Sequence, residues 1–278
     1  MIIDCHVHTN LKANSKEELL KQLDMAGIDQ MVLLSNSPAS FYKQGNLGGP
    51  VGTGILTTEA ALSLVMEWSA YSDRIIPFYW IDPLEEDAFD QVDKAAAAGI
   101  KGFKVICNRH YPGDSKPMQV WERIAGLGKP ILFHSGILYG NGPWSQYNRP
   151  VFFEALFDIP NLRFAIAHVS WPWCDECLAV YGYWQNRKER GTSSAEMFID
   201  TTPGSPKIYR NDIFYKIYNI GYEIENNIIF GTDCNSIYSS DYTKEIITMD
   251  NEALKFAAVS NEQRDKYYYK NFLRFLNG

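Results

Sequence analysis

Short apolar runs alternate with longer helix-like stretches along the whole chain, and this alternation restricts the fold more than any other feature of the sequence. The runs fall at residues 2–6, 31–35, 75–81, 100–106, 130–134, 162–168, 196–201 and 227–232. Most are largely apolar rather than strictly alternating, as strands buried on both faces are. Helix signals lie between them. Ser15 with Glu18 is a capping-box pair, and Gly27 suits the C-terminal turn. Pro83 opens an acidic first turn whose helix closes at Gly99, and Pro117 with Gly128 brackets another. Residues 152–157, 175–188 and 207–218 supply three more, and Ser260 with Gln263 starts a last helix ending at Leu276. Repeated strand–helix alternation means a parallel sheet with right-handed crossovers. Eight units in 278 residues predict an α/β fold, a (β/α)₈ TIM barrel, which typically takes about 250 residues as one unit. An open doubly wound sheet is the alternative. No linker or repeat is visible, so residues 1–278 are expected to form a single barrel domain.

Charge and cysteine usage narrow the setting. With 26 basic and 33 acidic residues the net charge is −7, which argues against nucleic-acid binding. No run approaches 18 apolar residues, so no membrane span is expected, and residues 1–9 do not read as a signal peptide. Five cysteines, an odd number, favour a reduced, cytoplasmic location.

The chemistry-bearing residues collect at strand ends. Four of the five histidines stand there: His6 and His8 in Asp4-Cys5-His6-Val7-His8, His134 after Ile131-Leu132-Phe133, and His168 after Phe164-Ala165-Ile166-Ala167. Asp233 follows the last run, Ile228-Ile229-Phe230-Gly231-Thr232. Residues i and i+2 of a strand face one side, so both imidazoles of the His-x-His can meet one ion. A lone histidine at a strand end is more often a hydrogen-bonded core residue. Four of them with a carboxylate, at equivalent ends of separate strands, suit Zn²⁺ or another divalent cation. In a barrel these ends form the face where active sites sit.

Asp4-Cys5-His6-Val7-His8, Gly99-Ile100-Lys101-Gly102-Phe103-Lys104, Phe133-His134-Ser135-Gly136, Ala167-His168 and Phe230-Gly231-Thr232-Asp233 occur in an order that resembles the amidohydrolase superfamily. The likeness is to the amidohydrolase-related, metal-dependent hydrolase branch that also holds aminocarboxymuconate-semialdehyde decarboxylase-like enzymes. It implies that His6, His8, His134 and Asp233 ligate one divalent ion, zinc first, and that Asp233 and His168 move protons. It makes Lys104 either a carboxylated bridge between two ions or an ammonium that contacts substrate or a core Asp. Many relatives with this Lys carry His-Pro two and three residues later, where this chain has Ile106 and Cys107.

Other positions carry weaker signals. Arg109, His110, Trp144, Arg149 and Trp171 are candidates for substrate binding, because Arg forks suit carboxylates and aromatic rings suit pocket walls. Asp200, in Phe198-Ile199-Asp200-Thr201-Thr202, either orients a ligand or satisfies buried amides. Cys174 and Cys177 lack a second pair and read as incidental. The glycine-rich segment 45–54 lacks a P-loop Lys-Ser/Thr and reads as a flap over the barrel mouth. The expected activity is hydrolysis of a small ester, lactone or amide by metal-activated water. Non-oxidative decarboxylation of a small aromatic or unsaturated acid is the alternative, and a non-catalytic metal- or ligand-binding barrel is the second. The expected partner is a small molecule, with homo-oligomerisation open.

Overall fold

The computed structural model describes residues 1–13, 15–42, 56–140 and 142–278. The expected glycine-rich flap lies outside the described residues. Among these residues nine parallel strands form one sheet in the order β8-β7-β6-β5-β4-β3-β2-β1-β9. They are β1 (Ile3–His8), β2 (Gln30–Leu34), β3 (Ile75–Trp80), β4 (Gly102–Val105), β5 (Ile131–Phe133), β6 (Arg163–Ile166), β7 (Glu196–Asp200), β8 (Ile228–Ile229) and β9 (Cys234–Asn235). The two ends of that order are consecutive in the chain. β8 pairs with β7, β9 pairs with β1, and between them the Cys5 amide donates to the Phe230 carbonyl at 3.0 Å. The sheet therefore closes into the expected barrel. Within the eighth run, 227–232, only Ile228–Ile229 pairs as a strand, and the short strand that pairs with β1, Cys234–Asn235, lies just beyond it.

The strands are buried on both faces, which explains their unbroken apolarity. The outward side chains, such as Leu33, Val105, Phe133 and Ile166, pack against the surrounding helices. An inner cluster of Ile3, Cys5, Val32, Leu34, Phe78, Leu132 and Phe198 fills the barrel, and Phe272 and Phe275 join it from the C-terminal helix. That helix closes the floor, since Arg163 at the start of β6 donates to the Leu276 carbonyl.

Helices α1 (Lys16–Ala26), α2 (Ala39–Tyr42), α3 (Thr58–Tyr71), α4 (Ala88–Ala98), α5 (Ser115–Gly126), α6 (Cys174–Glu189), α7 (Arg210–Asn219), α8 (Ser240–Phe256), α9 (Asn261–Asp265) and α10 (Asn271–Asn277) follow in chain order. Ser15 accepts from the Glu18 amide as expected, and the Ser260–Gln263 capping box is complete. Two long helices, α3 and α8, were not among those expected, although each begins at a hydroxyl cap, Thr57 and Ser239. The segment read as a helix at 152–157 is instead a 3-10 stretch, Pro150–Asp158. The helix expected to open at Pro83 starts five residues later, at Ala88, because the Asp82 carboxylate first turns the chain by accepting from the Leu84 amide.

One irregularity positions the site. The register of β1 against β2 shifts between Asp4 and Val7. Ile3 and Cys5 belong to the inner cluster, yet Val7 packs outward, so the bulge reverses the phase and turns His6 and His8 to the barrel interior.

Candidate active site

The strand ends surround a cavity of about 230 Å³, lined by His6, His8, Lys104, His134, His168 and Asp233 at its base. Ile106, Ile137, Leu138, Trp171 and Pro203 form much of its wall. His6 Nε2 and His8 Nε2 stand 3.2 Å apart, and Asp233 Oδ1 lies 3.5 and 3.3 Å from them. The three form a group whose ligand atoms lie within 4.8 Å of one another. His134 is outside that tight trio but lines the same cavity. Its ring centre is 4.9 Å from that of His168, and its buried Nε2 has no hydrogen-bond partner.

Hydrogen bonds aim these rings. Asp200 Oδ2 lies 2.8 Å from His6 Nδ1, which leaves the Nε2 lone pair for the cavity. Asp200 Oδ1 accepts from the Thr202 amide at 2.7 Å, so both readings of Asp200 describe it, one for each oxygen. Thr202 Oγ1 meets His168 Nδ1 at 2.9 Å. Lys104 Nζ reaches His6 Nε2 at 3.1 Å.

Backbone conformation brings the acid–base candidates inward. Asp233 sits at φ 56°, and His168, Val169 and Ser170 at 63°, 45° and 56°, all left-handed. Such values are unfavourable for non-glycine residues and cluster at functional sites. The neighbouring chain comes very close. A Cβ on Gly231 would lie 2.6 Å from the Thr202 methyl, so the Phe-Gly-Thr-Asp segment needs that glycine.

The electrostatics favour lone pairs over charge. Burial, then the Lys104 charge and the other imidazoles, holds His6 well below the ordinary imidazole range, and burial does the same for His134. His8 is also lowered by burial, with Asp233 opposing. His168 falls to about 4, because burial outweighs the Asp233 charge. Burial brings Lys104 down to about 8 against Asp233 and Asp200, and it raises Asp200 to about 7. Asp233 goes the other way: burial opposes its ionisation, but the His8 bond, the neighbouring His168 and His8 imidazoles and the Lys104 charge hold it below the usual range. Neutral imidazoles with converging nitrogen lone pairs, an orphaned buried Nε2 and an ionised carboxylate are the donor set of a divalent cation, and these residues fit one.

Of the five substrate-binding candidates, Trp171 alone is among the described lining residues, its ring 4.7 Å from that of Tyr209. Arg109 is ion-paired with buried Asp82. His110 is buried beside Trp121, with Nδ1 on the Tyr111 carbonyl. Trp144 packs behind the wall with Phe41, Trp80, Ile106 and Leu138. Arg149 pairs with Glu176 and covers Trp173. Charge type and loop position marked these residues, but each is engaged by neighbours that only the fold brings near. Cys174 and Cys177 are buried free thiols, as are the other three cysteines.

A family model for amidohydrolases matches residues 3–278. The chain belongs to the amidohydrolase family. No curated protein matches this amidohydrolase by sequence. Among solved structures it is similar to a manganese-containing 5-carboxyvanillate decarboxylase from Novosphingobium aromaticivorans, complexed with a hydroxy-methoxy-nitrobenzoic acid. That match has 10% identity, a TM-score of 0.65 and coverage of 99% of this chain and 96% of the other. A probable 2-pyrone-4,6-dicarboxylic acid hydrolase from Acinetobacter baumannii, with citric acid bound, gives 13% identity, a TM-score of 0.62 and coverage of 100% and 99%. Amidohydrolase 2 from Bifidobacterium longum subsp. infantis gives 12%, 0.60 and coverage of 99% and 98%. At these identities the likeness is one of fold. Hydrolases and a decarboxylase share this barrel, and no helix among the described residues is long and apolar enough to cross a membrane.

Proposed function

We propose that the chain is a metal-dependent hydrolase of a small ester, lactone or amide, acting as one catalytic domain over residues 1–278. The observation that carries this reading is the convergence of His6, His8 and Asp233 with the unpartnered His134 Nε2 on one cavity. His6, His8, His134 and Asp233 would hold one divalent ion, zinc first. When bound, such an ion polarises a carbonyl and acidifies water. The protein supplies the rest. Asp233, ionised and 23% exposed at the cavity, accepts a proton from the attacking water. His168, neutral and with Nδ1 engaged by Thr202, has Nε2 to take up and return a proton at the reacting group. Ile106, Ile137, Leu138 and Trp171 exclude water around an apolar acyl or aromatic body. The five free thiols suit a reducing, cytoplasmic setting.

Lys104 favours a second reading, decarboxylation of a small aromatic or unsaturated acid. Its ammonium faces the cavity beside the donor set, where a carboxylate would be paired. Turnover of a panel of lactones, amides and phenolic acids, with and without chelator, tests both. Chelator-sensitive acid release without carbon dioxide is the expected result. Carbon dioxide release selects the decarboxylase, and no turnover by metal-loaded protein selects a binding barrel.

A further inference from the structure

We propose that Asn148 is a positioning residue that sets the shape of the cavity, by pinning the stretches of chain that carry its apolar wall. Its effect on turnover rests on the hydrolase reading given above, whereas its effect on backbone opening does not.

Asn148 is fully buried and follows the short 3-10 turn Trp144–Tyr147. Its Nδ2 donates to the Cys107 carbonyl at 2.7 Å and to the Trp144 carbonyl at 3.0 Å. Both partners are carbonyls and can only accept, so the amino side of the carboxamide must face them. Oδ1 is buried without a partner, so the amino group alone holds the side chain. The Asn148 carbonyl accepts from the Gly136 amide and from Ser135 Oγ, each at 2.9 Å. These contacts reach each part of the wall. Cys107 follows Ile106 directly. The Leu138 amide donates to Ser145 Oγ at 3.0 Å, in the turn that Asn148 ends. Ile137 follows Gly136, and its amide donates to the Trp171 carbonyl at 2.8 Å. Ile106, Ile137, Leu138 and Trp171 are thus joined through a residue that is not among the described lining residues of the cavity.

The donor set is held differently. His6 and His8 belong to β1, and the His134 amide donates to the Val105 carbonyl of β4 at 2.8 Å. The sheet therefore anchors the base of the cavity, and Asn148 anchors its wall. Loss of the Asn148 amide should loosen the wall and leave the donors in place. Each of its two buried hydrogen bonds shifts a local opening equilibrium about tenfold, hence about 10²-fold together. Asn148→Leu removes both and keeps a side chain of similar size.

Hydrogen exchange of the protein as purified, followed in ¹H–¹⁵N spectra, reads this opening residue by residue. In wild type the Ile137 and Leu138 amides should be protected. In Asn148→Leu both should exchange about 10²-fold faster, with the His134 amide at its wild-type rate and bound metal unchanged. With phenyl acetate as the probe, KM should rise about tenfold while kcat stays within about threefold of wild type. Ser145→Ala keeps Asn148 and should speed Leu138 alone, by about tenfold. Unprotected Ile137 and Leu138 amides in wild type overturn the proposal without any variant. Exchange in Asn148→Leu that is unchanged at both amides overturns it too. Exchange raised equally at His134 does the same, since the residue would then support the whole fold rather than the wall. A loss of kcat at unaltered KM would place the effect at the donor set and also overturn it. If Asn148→Leu fails to fold, wild-type protection and Ser145→Ala still decide. Absence of turnover with every ester, lactone and amide removes the hydrolase reading and leaves the exchange result standing.

Discussion

His6 and His168 face the same cavity, but only His6 belongs to the tight donor trio with His8 and Asp233. His6→Ala removes one of those donors, so elemental analysis should find the bound metal largely lost. His168→Ala should keep most of the metal while kcat falls about 10²–10⁴-fold, the usual range for a lost acid–base group. A His168→Ala protein as empty as His6→Ala would make His168 a ligand. Lys104 gives a separate outcome. If it is an ammonium beside one ion, Lys104→Ala should hold about one metal per chain, as wild type does. Two ions in wild type and one in the variant would make it a bridge. Arg109 and Arg149 show why residue type alone misleads at this scale. Both were candidates for a substrate carboxylate, and Asp82 and Glu176, distant in sequence, have taken up their guanidinium groups.

The loops after β6 and β7 interlock at the site. A Cβ on Gly204 would lie 2.7 Å from the His168 Cβ, closer than side-chain carbons approach. Gly204→Ala must therefore displace the His168 ring. Turnover should fall by about 10²-fold, as for an angstrom-scale misplacement, while metal content stays at the wild-type level. Unchanged kcat would show that the ring position is not critical. The seam between β1 and the closing segment depends on Asp4. Its carboxylate accepts from the Thr232 amide and hydroxyl at 3.0 and 2.6 Å and from Tyr238 Oη at 2.8 Å. Tyr238→Phe keeps the packing and removes one of these bonds to a buried carboxyl group. Urea unfolding should show a loss of about 2 kcal/mol with an unchanged m value. No change in the midpoint would mean that this bond does not stabilise the seam. The capping hydroxyls Thr57 and Ser239 were readable signals for α3 and α8, whereas the 3-10 form of 150–158 was not. Periodicity counts apolar positions and does not distinguish a tight from an ordinary turn.

At the scale of the whole molecule the N-terminal strand and the C-terminal segment complete one another, so the barrel should unfold as a unit. A divalent ion held, as proposed, by β1, the end of β5 and the segment beyond β8 would bind the closed barrel and not the unfolded chain. At a hundredfold excess over its dissociation constant it adds about 2.7 kcal/mol. Chelation should lower the calorimetric midpoint by roughly 5–10 °C while leaving one transition. A midpoint indifferent to chelator would argue against a bound ion at this site.

The order of the strands, most of the helices between them, the parallel sheet and the histidines at strand ends were legible in the sequence. They follow from local rules, namely the period of apolar residues, capping chemistry and the ends of buried runs. The His-x-His spacing placed two imidazoles on one side of a strand, but not on which side. Alternation counted from Ile3 sends them outward, and the bulge between Asp4 and Val7 brings them in. The pairing of β9 with β1 beyond the last expected strand, the grip of Asp200 on His6 and the link from Thr202 to His168 depend on chain segments tens to hundreds of residues apart. Closure of the barrel brings those segments together, and long-range packing of this kind leaves no periodic trace along the chain.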